Sequence, residues 1–217
     1  MVRRPSIVRL VIAGVIAPVW FITLVIAQGL LQPDYSHIAM PVSALAAWPL
    51  GWVQNVNFFV TGALMAAFAI GLHHAIRPTR LGFVGVALLL LNTVGFWTAA
   101  LFPWINVNDV PTETPGHVVG AVLTFVGSAT GYAAISRRMT SDPQWRDLSA
   151  YVLWTGILIL LLFILLGAFA IAEGAPLHPW AGLLQRVVVV TWFSCTVVIA
   201  SRALRLASRA ASTAVTG

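Results

Sequence analysis

Six long apolar runs constrain this chain more than anything else in it. Each is about as long as the roughly 20 residues an α-helix needs to cross a bilayer's hydrocarbon core, and they fall near residues 8–31, 51–76, 81–102, 117–137, 151–172 and 180–206. In hydrocarbon, every backbone N–H and C=O must find its partner within the segment, so runs of this length fold as helices. The chain is 59% hydrophobic and 8% charged, where soluble domains carry about 25% charge. The pattern predicts an all-α membrane protein, a six-transmembrane-helix bundle forming one domain over 1–209, with a disordered Ala/Ser-rich tail at 210–217.

Details within the runs refine that picture. Arg3, Arg4 and Arg9 precede the first run, as in a secretory signal. That run is longer than an ordinary signal core of about 7–15 residues, so it is expected to stay as a helix, kinked near Pro18. Pro78 between Arg77 and Arg80 predicts a tight turn. Gly116, Gly120, Gly127 and Gly131 give the fourth helix small faces that suit the middle of a bundle. The fifth run is the most uniformly apolar and is expected to face lipid.

Arginine placement predicts orientation. An even number of crossings puts both termini on one side, and that side collects every arginine except Arg186. Arginines gather on the cytoplasmic side of membrane proteins, so the expectation is a multi-pass cell-membrane protein with both termini cytoplasmic. The formal charge of +6 is therefore topological. It implies no nucleic-acid partner, because no basic helix with interleaved aromatics carries it. Membrane lipids are the expected neighbours. The single cysteine, Cys195, excludes disulfides and paired-cysteine metal motifs within the chain.

Polar chemistry collects on the other, extracytoplasmic side. The stretch FPWINVNDVPTETPGH, 102–117, brings Asp109, Glu113 and His117 to the mouth of the fourth helix, and the segment 32–49 is a loop or re-entrant element holding Asp34, His37 and Ser43. Glu173 and His178 lie in the last loop. Arg186 falls more than a turn inside its helix, where an unpaired charge costs up to about 2.5–3.5 kcal/mol. It is expected to pair with Asp109 or Glu113, or else Glu173, to hold a substrate anion, or to snorkel to the interface. His117, at a helix N-terminus, is expected neutral, as a general base or as an interfacial histidine bonded to a carbonyl. His37, His117 and His178 have zinc-ligand chemistry, but no spacing such as HxxxH or HExxH supports a site, so no metal is expected. Ser43 lacks a nucleophile's sequence setting and reads as a cap or a polar contact. Asn55, Asn57 and Asn92 must face inward, bonding between helices or lining a cavity. Trp48, Trp52, Trp104 and Trp180 suit an interfacial belt, and Trp97 and Trp154 suit either lipid or a pocket.

Four short motifs together resemble a known family. They are Pro41-x-Ser43-x-Leu45; Asn55 and Phe58 with Gly62; Phe102-Pro103 followed by Asp109 and closed by Gly116-His117; and Gly182-Leu183-x-Gln185-Arg186. The chain is similar to the bacterial membrane proteins of domain of unknown function 998. That resemblance implies six helices, no established activity, and site residues that coincide with the extracytoplasmic cluster.

Two functional expectations follow. In the first, a polar pocket binds or processes a lipid-like or isoprenoid amphiphile from the bilayer, with His117, Asp109 and Glu113 as acid–base groups. Arg186, Asn55, Ser43, His37 and Asn92 contact the substrate, and no cofactor is required. A small membrane-embedded terpene cyclase or hydrolase would be one form. In the second, the protein is a non-enzymatic transporter-like or accessory subunit, and the cluster locks the loops.

Overall fold

The computed structural model describes residues 4–76 and 82–215; the turn expected at Arg77–Arg80 lies outside them. The helices are α1 (Arg4–Val11), α2 (Ala13–Leu31), α3 (Gly51–Ala75), α4 (Gly82–Leu101), α5 (Pro115–Thr140), α6 (Ser149–Phe169) and α7 (Ala181–Val215). The first two form one span. They are interrupted only at Ile12, where Ile12 N donates to Val8 O (3.0 Å) and Ile16 N to Ile12 O (3.1 Å). Pro18 lies inside α2 and offers no N–H to Gly14 O. Among the described residues, six spans are thus long and apolar enough to cross a membrane. The last helix continues past the Leu206 boundary expected for it, as far as Val215.

Close backbone packing organises the bundle around α5, which lies against both α4 and α6. A Cβ on Gly120 would lie 2.6 Å from Ala99 N and 2.8 Å from Gly95 O, and one on Gly127 would lie 3.0 Å from Leu88 O. The small face therefore meets α4 with no room for side chains, as its glycines predict. Asn92 ties the same pair of helices, its Nδ2 donating to Ser128 Oγ (2.8 Å) and Thr124 O (3.3 Å). In its most apolar 18-residue stretch, the span containing α6 has 28% of residues buried, the lowest share among the described spans, so it presents the most surface outside the bundle.

The segment between α2 and α3 turns back into the bundle as a 3₁₀ turn over Val42–Ala47, with Val42, Ser43, Ala44 and Leu45 buried. Non-helical backbone is tolerated at membrane depth only when protein groups satisfy it, since each orphan costs several kcal/mol. Three side chains do so. Gln28 Nε2 donates to Leu45 O (3.1 Å) and Leu50 O (2.9 Å). Gln185 Oε1 accepts from Val42 N, and Tyr35 OH donates to Pro41 O (3.0 Å).

The polar stretch after α4 is not irregular. It forms a hairpin of β1 (Ile105–Val107) and β2 (Val110–Thr112), with Val107 opposite Val110. The two turn residues, Asn108 and Asp109, have φ of 50° and 64°. A two-residue loop with both residues left-handed is the hairpin turn that matches strand twist, and Asn and Asp tolerate that conformation. The hairpin packs on the 42–47 segment.

Candidate ligand cavity at the far end of the bundle

At the end of the bundle away from the termini lies a cavity of about 310 Å³. Interiors hold few voids larger than a water molecule, so this is no packing defect. It reaches the lower size range of small-molecule sites. Every helical span contributes to it. Phe21 comes from α2, Phe58 from α3, Phe96 and Ala99 from α4, and Val118, Ala121, Thr124 and Phe125 from α5. Phe163, Leu166 and Gly167 come from α6, and Gln185, Val189 and Trp192 from α7. The rings form a continuous wall, with Phe58 and Phe96 5.8 Å apart, Phe96 stacked on Trp192 at 5.6 Å, and Phe125 at 5.0 Å from Phe163.

Polar side chains also line this largely apolar space: Ser43, Glu113, His117 and Gln185 from the loops and first helical turns, and Thr124 deeper on α5. The chain builds the Glu113 and His117 part of this lining locally. Thr114 caps α5, its Oγ1 accepting from His117 N (3.3 Å) while donating to Phe102 O (2.8 Å), which closes the base of the hairpin. Glu113 is thereby held at the hairpin's foot and His117 in the first turn of α5. His117 is 2% exposed. Its Nδ1–H donates to Ala99 O (3.2 Å), and its ring lies between Phe58 (5.9 Å) and Trp104 (6.3 Å). Among the described residues, no cation pairs with Glu113. Burial pushes its carboxyl above the usual carboxylate range. The Trp104 indole N–H faces it without reaching hydrogen-bond geometry and offsets part of that rise.

Arg186 takes a different place from the one expected. It pairs with none of Asp109, Glu113 and Glu173. Its Nη1 donates to Gly182 O (2.9 Å) and Met40 O (3.2 Å), and its Nη2 to Tyr35 OH (2.8 Å) and His37 Nδ1 (3.0 Å). Neutral acceptors from the 35–40 loop satisfy the guanidinium, which also lies 5.7 Å from the Tyr35 ring centroid. Because Arg186 only donates, His37 must be neutral and accept on Nδ1; burial, and then the guanidinium, lower its pKa accordingly. Burial raises the Tyr35 pKa and Arg186 partly offsets the rise, so the phenol keeps its proton for Pro41 O.

The remaining candidates separate. Asp109 is exposed at the hairpin turn and does not line the cavity. Asn55 is half-buried on α3 and also outside the lining. Asn92 bridges α4 and α5, reaching the cavity only through Thr124. His37 is held by Arg186, and His178 Nδ1 bonds Ala170 O (3.0 Å). The three histidines thus have separate partners, and among the described residues no group of three His, Cys, Asp or Glu is placed to hold a metal ion. Trp104 is buried against His117 instead of belonging to the belt. Trp97 and Trp154 are exposed outside the cavity. From sequence, Gln185 is named only within the Gly182–Arg186 motif, with no site role, and the aromatic wall is not singled out. Gln185, Val189 and Trp192 follow at i, i+4 and i+7 along α7, a helical-face signal present in the sequence.

Fold and cavity together define a six-span helical membrane protein with a ligand-sized, aromatic-walled hollow at one end. Over residues 15–202 the chain matches the family described as "Protein of unknown function (DUF998)", and it belongs to that family. No curated protein and no solved structure matches it.

Proposed function

We propose that the far-end cavity binds a single-chain amphiphile taken from the bilayer, its apolar part against the phenylalanines and its polar group at Ser43, Glu113, His117 and Gln185. One observation carries this reading: a mostly apolar, aromatic-lined hollow of about 310 Å³ whose lining includes Ser43, Glu113, His117 and Gln185. Val118 and Gly167 line the cavity and are also exposed, on α5 and α6. A membrane-facing route between these two helices follows, and a chain would arrive through it directly from lipid. The far end is the extracytoplasmic one in this proposal, since the arginines lie at the other.

Should the cavity also run a reaction, Glu113 and His117 are its proton-exchanging groups. The raised pKa of Glu113 favours an acid-donating role, as in olefin protonation by a terpene cyclase. The non-enzymatic reading, an accessory or transporter-like subunit, is supported by Gln185 and Arg186, which hold the re-entrant segment in place.

Ala121→Trp fills the cavity from α5. Native mass spectrometry of wild type released from membranes should show a bound amphiphile, and this variant should lose it at unchanged thermal stability. Equal retention by the two proteins sinks the binding reading. Orientation has its own check: Thr112→Cys should label with an impermeant maleimide from outside intact cells.

A further inference from the structure

From the cavity's composition we infer that its guest carries a positive charge: an amphiphile with an ammonium head, seated between Glu113 and the aromatic wall. The inference deepens the amphiphile-binding reading and rests on it.

Three observations converge. Among the described residues, Glu113 is the one carboxylate lining the cavity, and no cation meets it. A carboxyl in an apolar setting without a counter-ion is costly to ionise, and a ligand cation offsets that cost. Next, Phe21, Phe58, Phe96 and Trp192 are among the lining residues, and an aromatic ring attracts a desolvated cation placed over its face. Finally, the obvious anion receptor is already engaged. Arg186 has four donor contacts to the 35–40 loop and to its own helix, and it does not line the cavity. A phosphate head in this hollow would face Glu113 with no guanidinium to receive it. At about 310 Å³ the space suits one chain with a compact head.

The test uses full-length protein in an uncharged maltoside detergent. Tryptophan fluorescence is followed during titration with dodecyltrimethylammonium, dodecanol or dodecyl phosphate, for wild type, Glu113→Gln and Ala121→Trp. Differences between proteins cancel partition of each probe into micelles. Wild type should bind the ammonium probe about tenfold more tightly than Glu113→Gln does, the scale of one close charge pair. Dodecanol should bind both proteins alike, and Ala121→Trp should bind none of the probes. Phosphate binding as tight as ammonium, or ammonium affinity unchanged in Glu113→Gln, overturns the charge assignment while leaving the cavity reading intact. Failure of all three probes to distinguish wild type from Ala121→Trp overturns the cavity reading itself.

Discussion

Each end of the bundle holds an arginine against backbone carbonyls, to opposite effect, and at the closed end the carboxylate of Asp142 acts on it as well. At the end carrying the termini, Arg138 donates to His73 O (3.0 Å) in the last turn of α3 and to Ile76 O just after it. Beside it Trp145 is fully buried, Ser136 Oγ donates to Ser149 O (2.7 Å), and Arg202 pairs with Asp147. That end is closed by packing. At the far end, Arg186 likewise turns to carbonyls and neutral side chains, but the backbone it holds is a loop, and beneath that loop a hollow remains. An arginine in a membrane helix thus needs acceptors, which need not be acids. A carbonyl-rich loop supplies them, and among the described residues Glu113 has no cationic partner.

The largest effect that would break this contrast is the loss of Arg186. Arg186→Ala removes four hydrogen-bond contacts. At about 1.5–3 kcal/mol for hydrogen bonds to charged groups, partly recovered by water at the loop, the net loss should be about 3 kcal/mol or more. It would be read as a large fall in apparent Tm of the purified protein. Arg186→Lys should recover only part, since an ammonium cannot reproduce the fork. If Asp109→Asn or Glu173→Gln matched that fall, the carbonyl-clamp account would be wrong. Gly182→Val comes next. A Cβ there would collide with Met40 O, whose position Leu183 N fixes by donating to Ile38 O (2.9 Å) nearby. Overpacking against backbone of this kind costs about 2 kcal/mol.

How far these features could be read from sequence follows from what distinguishes them chemically. Membrane spans were legible because length and apolarity suffice, and the α4–α5 contact was legible because glycines repeat on α5. Which side of an apolar helix faces inward was not legible, because lipid and protein interior are equally apolar. The aromatic wall of Phe21, Phe58, Phe96 and Trp192 therefore had no signature, and Trp97 and Trp154 could not be assigned. Asp109 draws attention by its charge, but its place is set by the hairpin. Read instead by alternation, Ile105-Asn106-Val107 and Val110-Pro111-Thr112 around Asn108-Asp109 is a hairpin with a two-residue turn. Glu113 and His117 were legible as neighbours of a helix start. Arg186 misled because pairing with an acid is the usual expectation for a buried charge, and no spacing rule shows a loop's carbonyls.

A smaller effect sharpens the role of Glu113. Its folded-state pKa is raised by burial, so the protein favours the protonated form. Stability from that preference is fully present below the unfolded carboxylate pKa, about 4.3, and is lost as pH rises through the folded value. Glu113→Gln cannot ionise. Without ligand, its apparent Tm should therefore stay level with wild type at acid pH and rise above it toward neutral pH. A wild type that gains on the variant with rising pH would mean that Glu113 has a cationic partner within the protein.

The smallest effect belongs to the closed end and tests whether its ion pair has a structural role comparable to the Arg186 clamp. Arg202 and Asp147 side chains are 24% and 60% exposed, so water screens their attraction and competes for both groups. Exposed pairs contribute about 0–1 kcal/mol, and immobilising the two side chains offsets part of that. Arg202 also donates to Gln144 O (3.3 Å), a contact that water can replace. Arg202→Ala and Asp147→Asn should each leave the apparent Tm nearly unchanged at moderate salt, and the double variant should add nothing to either. The closed end would then owe its rigidity to Trp145 and the α5–α6 packing. A fall approaching that of Arg186→Ala would instead give the Arg202–Asp147 pair a share in holding the closed end comparable to that of the Arg186 clamp at the far end.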